Sequence, residues 1–290
     1  MAATPIPLQS FRDLWIHTGT ACNLSCPFCH EGSSPGDSRL QALTAAEVLP
    51  LLTTAADSGV RRFILTGGEP LILKGIQELL LAALQLRPVL VLTNGTAPWI
   101  RRSQQLAALR AAPHPLSFRV SLDTPDEAAH DAQRGLKNFR KAVEGLKLLH
   151  AAGFDTGITR QIQPGEDAAL IAHRFRQVLR RHGLPDDLSV MALPQLGALG
   201  SAPPDVGAGG AGSDASPPCP PLCASGRMLI RRDGALKLTA CALVDDDPAF
   251  DRAPALESAL ATPIDPVHRR CRLCLGGGVN YVGADGQAGV

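Results

Sequence analysis

Neither sign of charge is in excess: 28 Lys and Arg stand against 27 Asp and Glu, for a formal net charge of +1. The field that would hold nucleic acid or an acidic membrane surface is therefore missing, and neither partner is expected. No run is long and apolar enough to span a bilayer. Residues 1–10 lack both the basic start and the apolar core of a signal peptide, so a cytoplasmic location is expected. In a reducing compartment, eight cysteines make a poor disulfide framework but good metal ligands or catalytic groups. Cysteine is also absent from the middle of the chain: three lie at 22–29, five follow residue 218, and none lies between. At 290 residues with 45% hydrophobic content, the chain can bury a full core, enough for one large domain and a small one.

The first cysteine group is Cys22-Asn23-Leu24-Ser25-Cys26-Pro27-Phe28-Cys29. A cubane iron-sulfur cluster normally takes four thiolates, so three from one short loop leave an iron open to a chelating small molecule. Two other readings use the same residues. Cys26-Pro27-Phe28-Cys29-His30 has the spacing of a covalent haem attachment, and Cys22, Cys26, Cys29 and His30 have the composition of a structural zinc site. Neither accounts for the motifs downstream, and His30 reads as a loop residue without a metal role.

Apolar and β-branched runs predict strands at 14–18, 62–66, 89–93, 117–122, 155–161 and 188–193. Helices are expected at 44–58, with Thr44 as N-cap and Glu47 three residues on, and at 74–86, 98–111, 126–152 in one or two pieces, and 166–181. Six βα units build a parallel sheet with helices outside, whose ligand site lies at the carboxyl ends of the strands. The chemistry-bearing motifs fall there. Thr66-Gly67-Gly68-Glu69-Pro70 follows the second strand, Thr93-Asn94-Gly95 the third, and Ser121-Leu122-Asp123 closes the fourth. Glycines let a ligand approach the backbone, Glu69 can accept from an ammonium group, and Ser121 and Asp123 suit ribose hydroxyls or an amino-acid head.

With these motifs in this order, the sequence resembles the radical S-adenosylmethionine enzymes over roughly its first two-thirds. The resemblance implies a partial (β/α)6 barrel in the α/β class. It implies that Cys22, Cys26 and Cys29 bind a [4Fe-4S] cluster whose free iron is chelated by the amine and carboxylate of S-adenosylmethionine. In the cofactor site it implies Gly68 and Glu69 at the amine, Gly67, Pro70 and Asn94 among the cofactor-binding residues, Ser121 and Asp123 along the ribose, Phe28 by the adenine and Arg134 at the carboxylate. Reductive cleavage would then give a 5′-deoxyadenosyl radical that abstracts hydrogen, with flavodoxin or ferredoxin as electron donor.

After Leu193 the composition changes. The stretch from Gly197 to Pro221 is rich in Gly, Ala, Pro and Ser and reads as a flexible linker, which divides the chain into a core at 1–196, the linker at 197–221 and a tail at 222–290. Asp233-Gly234 between two apolar runs signals a β-hairpin bracketed by Cys223 and Cys241, and Cys271-Arg272-Leu273-Cys274 completes four thiolates. By spacing alone, zinc or a cluster would fit. The layout resembles the Twitch and SPASM extensions of the same enzymes, which implies one auxiliary [4Fe-4S] cluster and a small hairpin-containing domain. Cys219 is read as idle, or else as a replacement for one of the four ligands or as a hydrogen donor that would make the enzyme an epimerase. Asp245-Asp246-Asp247 reads as an exposed turn. With the first strand near Leu14, the expected substrate is a small polyol or aminosugar whose alcohol is dehydrogenated, or a peptide presented by a separate protein. Epimerisation and a molybdopterin-type GTP cyclisation are the other enzymatic readings, and a zinc-binding protein is the non-enzymatic one.

Overall fold

The computed structural model describes residues 4–201, 203 and 220–276. Six strands, β1 (Asp13–His17), β2 (Arg62–Thr66), β3 (Val89–Thr93), β4 (Leu116–Ser121), β5 (Asp155–Gln161) and β6 (Val190–Leu193), run parallel in that spatial order. Between them lie α1 (Ala45–Asp57), α2 (Ile76–Leu84), α3 (Ser103–Arg110), α4 (Glu127–Arg134), α5 (Asn138–Ala151) and α6 (Ala168–Arg181). This is the sheet of a partial (β/α)6 barrel. Three of the expected strands coincide with the observed ones, and α1 begins with a complete capping box between Thr44 and Glu47. The expected helix at 98–111 is instead a 3-10 turn (Pro98–Arg101) followed by α3, and β6 starts at Val190 rather than Leu188.

Both faces of the sheet are buried, which is why its strands read as apolar runs rather than as alternating patterns. Leu14, Ile16, Phe63, Leu65, Val89 and Val91 pack against the helices. Residues of the other parity, Trp15, Ile64 and Leu90, enter a second core inside the barrel. Each such fully buried side chain contributes about 1.5–3 kcal/mol. The inner core is completed by the tail, through Met228, Ile230, Leu243, Val244 and Phe250.

The tail hairpin, β7 (Gly226–Arg232) and β8 (Ala235–Thr239), turns at Asp233 and Gly234, both with positive φ (53° and 77°) as a two-residue I′ turn requires. β7 pairs in parallel with β1, so the hairpin extends the barrel sheet to eight strands. Two short helices follow, α7 (Leu256–Ala261) and α8 (Cys271–Leu275). The triple aspartate departs from expectation. Asp245 is 3% exposed, and Asp246 is drawn inward by ion pairs to Arg269 and Arg270, so the segment is no simple surface turn.

Candidate active site at the carboxyl ends of the strands

The loop from β1 to α1 carries the first three cysteines and is held at both ends by backbone bonds. Cys22 N donates to Ser34 O at 3.1 Å, while Cys29 N to Cys26 O and Gly32 N to Cys29 O form its inner turns. Two donors face the Cys22 sulfur, Leu24 N at 3.4 Å and Asn94 Nδ2 at 3.8 Å, so the Asn-Gly pair after β3 serves the cysteine loop as well as its own turn. Burial pushes the Cys22 thiol up to about 12 and raises Cys26 and Cys29 too. As thiolates, these sulfurs call for cations. Among the described residues, no three sulfurs in either cysteine group lie within 4.8 Å of one another. A tetrahedral zinc would need sulfurs about 3.8 Å apart.

The glycines after β2 have a tighter task than baring backbone to a ligand. Gly68 N donates to Gly19 O at 2.9 Å and Glu69 N to Ala21 O at 3.1 Å. A Cβ on Gly68 would lie 2.3 Å from Ala21 O, so only glycine lets this strand end meet the cysteine loop. The Glu69 carboxylate accepts from Leu71 N (3.0 Å), Thr93 Oγ1 (2.6 Å) and Asn94 N (2.7 Å). Three of its four lone-pair positions are thus used, leaving one on Oε2. Burial raises its pKa despite these bonds. Pro70 is buried at the start of a 3-10 turn, behind the cavity wall.

Across the cavity, Asp123 pairs with Arg134 and accepts from Gln161 N at 3.2 Å. The Arg134 guanidinium carbon lies 5.2 Å from the Phe28 ring centroid, a cation–π distance. Burial disfavours the arginine's charge, but Asp123 outweighs it and the pKa is raised. Cys22, Cys26, Phe28, Cys29, Gly67, Gly68, Glu69, Asn94, Ser121, Asp123 and Arg134 all line one cavity. Sequence reasoning missed Glu31, Ser33, Arg160 and Gln161, which line it as well, and set His30 aside. Arg160 is ion-paired with Glu166. The signal available for Arg160 and Gln161 was their place at the end of a predicted strand.

In the tail, Cys223 precedes β7, Cys241 follows β8, and Cys271 and Cys274 sit three apart on α8. All four are free thiols. Burial raises each of Cys223, Cys241 and Cys271, and Cys241 feels Cys274, Cys223 and Cys271 as neighbours. Leu222 N donates to Cys274 Sγ at 3.4 Å. Cys219 lies outside the described residues.

Residues 16–173 match the Radical SAM superfamily. Among curated proteins, the chain is similar to the antilisterial bacteriocin subtilosin biosynthesis protein AlbA of Bacillus subtilis, at 32% identity over 51% of this chain and 32% of that protein. It is similar to the GTP 3′,8-cyclase of Mycobacterium marinum at 35% identity, over 50% of this chain and 40% of that one. The chain thus spans about a third to two-fifths of these relatives. Among solved structures, Streptococcus suis SuiB bound to S-adenosylmethionine superposes with a TM-score of 0.53 at 20% identity, over 65% of this chain and 42% of SuiB, a likeness of fold.

Proposed function

The chain belongs to the radical SAM superfamily, and on that premise we propose that it takes hydrogen from a carbon of a peptide presented by a separate chain. The carrying observation is the convergence of Cys22, Cys26 and Cys29 with Glu69 and the Asp123–Arg134 pair around one cavity. Bound there, a [4Fe-4S] cluster and S-adenosylmethionine supply a reductively generated 5′-deoxyadenosyl radical. The protein's part is to hold and orient. The three thiolates grip the cluster, and Asn94 donates toward the Cys22 sulfur. Glu69 offers its remaining lone pair to the cofactor amine, with Gly67, Gly68 and Pro70 shaping that wall. Asp123 fixes Arg134 for the carboxylate, Ser121 lies on the ribose side and Phe28 by the adenine. Cys223, Cys241, Cys271 and Cys274 hold one auxiliary [4Fe-4S] cluster, in a tail taken as 222–290. Flavodoxin or ferredoxin delivers electrons.

The substrate class follows from two considerations. AlbA is named for biosynthesis of the bacteriocin subtilosin, and SkfB of Bacillus subtilis, 34% identical over 46% of this chain, for maturation of a sporulation killing factor, which supports a peptide substrate here. A GTP triphosphate would need a further free cation, yet beyond Arg134, assigned to the cofactor carboxylate, the one other arginine among the described cavity-lining residues, Arg160, is matched by Glu166. Nothing at the site singles out a polyol or aminosugar, so that expectation gives way to the peptide. The test is anaerobic reconstitution with iron and sulfide, reduction, and mass spectrometry for 5′-deoxyadenosine and for peptide mass in heavy water. A peptide lighter by two hydrogens, or carrying one deuterium at carbon with no net oxidation, supports the reading. Cyclisation of GTP with peptides left unchanged would replace it.

A further inference from the structure

His17 ends β1 on the same strand face as Trp15, so its ring points into the barrel interior. There it meets carboxylates from two distant loops: Glu31, just beyond Cys29, and Asp245, just beyond Cys241. One ligand-capable atom from each of the three lies within 4.8 Å of the other two, the single such group among the described residues. That spacing suits one mononuclear ion, unlike the spread of the cysteines. His17 is 0%, Asp245 3% and Glu31 4% exposed. His17 Nε2, 3.3 Å from Glu31 Oε2, and Asp245 Oδ1 are buried without a hydrogen-bond partner.

The arginines nearby are matched elsewhere, and the one opposing charge within the site is His17 itself, whose pKa burial lowers but Glu31 raises. Arg39 is paired with Asp37, Arg232 with Asp251, and Arg269 and Arg270 with Asp246. Glu31 otherwise meets only the Ser33 hydroxyl at 3.2 Å and His30 at 3.7 Å. Two carboxylates in a dry pocket need a compensating cation or proton. Burial, reinforced by Glu31, drives the Asp245 carboxyl up to about 7 without one.

We propose that His17, Glu31 and Asp245 bind a divalent first-row cation, which ties the loop leaving the first cysteine triad to the loop leaving Cys241. One histidine nitrogen and two carboxylate oxygens form a donor set for Mn²⁺, Fe²⁺ or Zn²⁺, distinct from the thiolates. His17 Nδ1 accepts from Gly19 N at 3.2 Å, so without the cation the ring proton sits on Nε2. Binding moves that proton to Nδ1 and opens the long contact. The cation acts on loop position and takes no part in electron transfer.

Mn²⁺ is the probe because oxygen and nitrogen ligands suit it and thiolates do not. Holoenzyme cleared of loose ions is titrated anaerobically with MnCl₂, and bound ion is read from loss of the free Mn²⁺ signal in electron paramagnetic resonance. The expected result is about one Mn²⁺ per chain, a rise in unfolding temperature on loading, and at least about tenfold weaker binding in both Asp245→Asn and Glu31→Gln. The neighbouring variant Asp247→Asn, whose carboxylate caps the next 3-10 turn instead, should bind as the wild type does. Failure of the wild type to bind, or equal binding by Asp245→Asn and Glu31→Gln, overturns the proposal. Iron and sulfide counts on the same samples report the clusters separately.

Discussion

The two cysteine groups are assembled by opposite means. The first draws three thiols from one short loop and opens onto the cavity at the strand ends. The second draws four from three segments, one before β7, one after β8 and two on α8, and all but Cys271 lie within the inner core. A local loop can leave one metal position free for a ligand, whereas a set gathered by the fold closes around its occupant. On the proposed function, reactivity would belong to the first group and structural or electron-holding duty to the second.

The largest expected effect breaks the symmetry outright. Cys26→Ala should lower 5′-deoxyadenosine production at least about 1000-fold, on the order of 4 kcal/mol of barrier, while the tail keeps its iron. Cys271→Ala should do the reverse: iron falls from about eight to about four per chain, cofactor cleavage persists, and modified product disappears. Cleavage lost in step with product would erase the division of labour. A smaller effect probes what shapes the first loop. Gly68→Ala forces a Cβ onto the Ala21 carbonyl and should cost about 1–3 kcal/mol, read from the urea midpoint of the cluster-free protein.

The smallest effect lies in the tail. Burial alone would raise the Asp246 pKa, but His268, Arg270 and Arg269 hold it well below the carboxylate range. With a depressed folded pKa, its stabilisation is full above the unfolded value of about 3.9 and is lost as pH falls below it. The urea midpoint should therefore drop through that acid limb, by at most about 1.4 kcal/mol per pH unit, and Asp246→Asn should flatten it.

What could be read from the sequence follows the same division between local and gathered. Apolar runs such as Phe63-Ile64-Leu65 and Val89-Leu90-Val91 mark strands buried on both faces, and Thr44 with Glu47 marks a helix start, because each signal is complete within a few residues. The cysteine triad, the double glycine and Asp233-Gly234 were legible for the same reason. The pairing of β7 with β1 was not, since it joins residues about two hundred positions apart and periodicity carries no trace of the partner. Asp245 was misread because three consecutive aspartates look solvated until the tail folds them against Glu31 and His17. The use of Gly68 was half legible: the need for glycine was evident, but not that the approaching group is the cysteine loop itself.

The central claim is that the first triad leaves one metal position open for S-adenosylmethionine. Mössbauer spectra of ⁵⁷Fe-loaded Cys271→Ala protein, with and without S-adenosylmethionine, test it most directly because only the first cluster remains. The account predicts a four-iron species in which one iron shifts to a more highly coordinated signature when the compound is added. A cluster whose irons all stay unchanged, or no four-iron species at all, would contradict it.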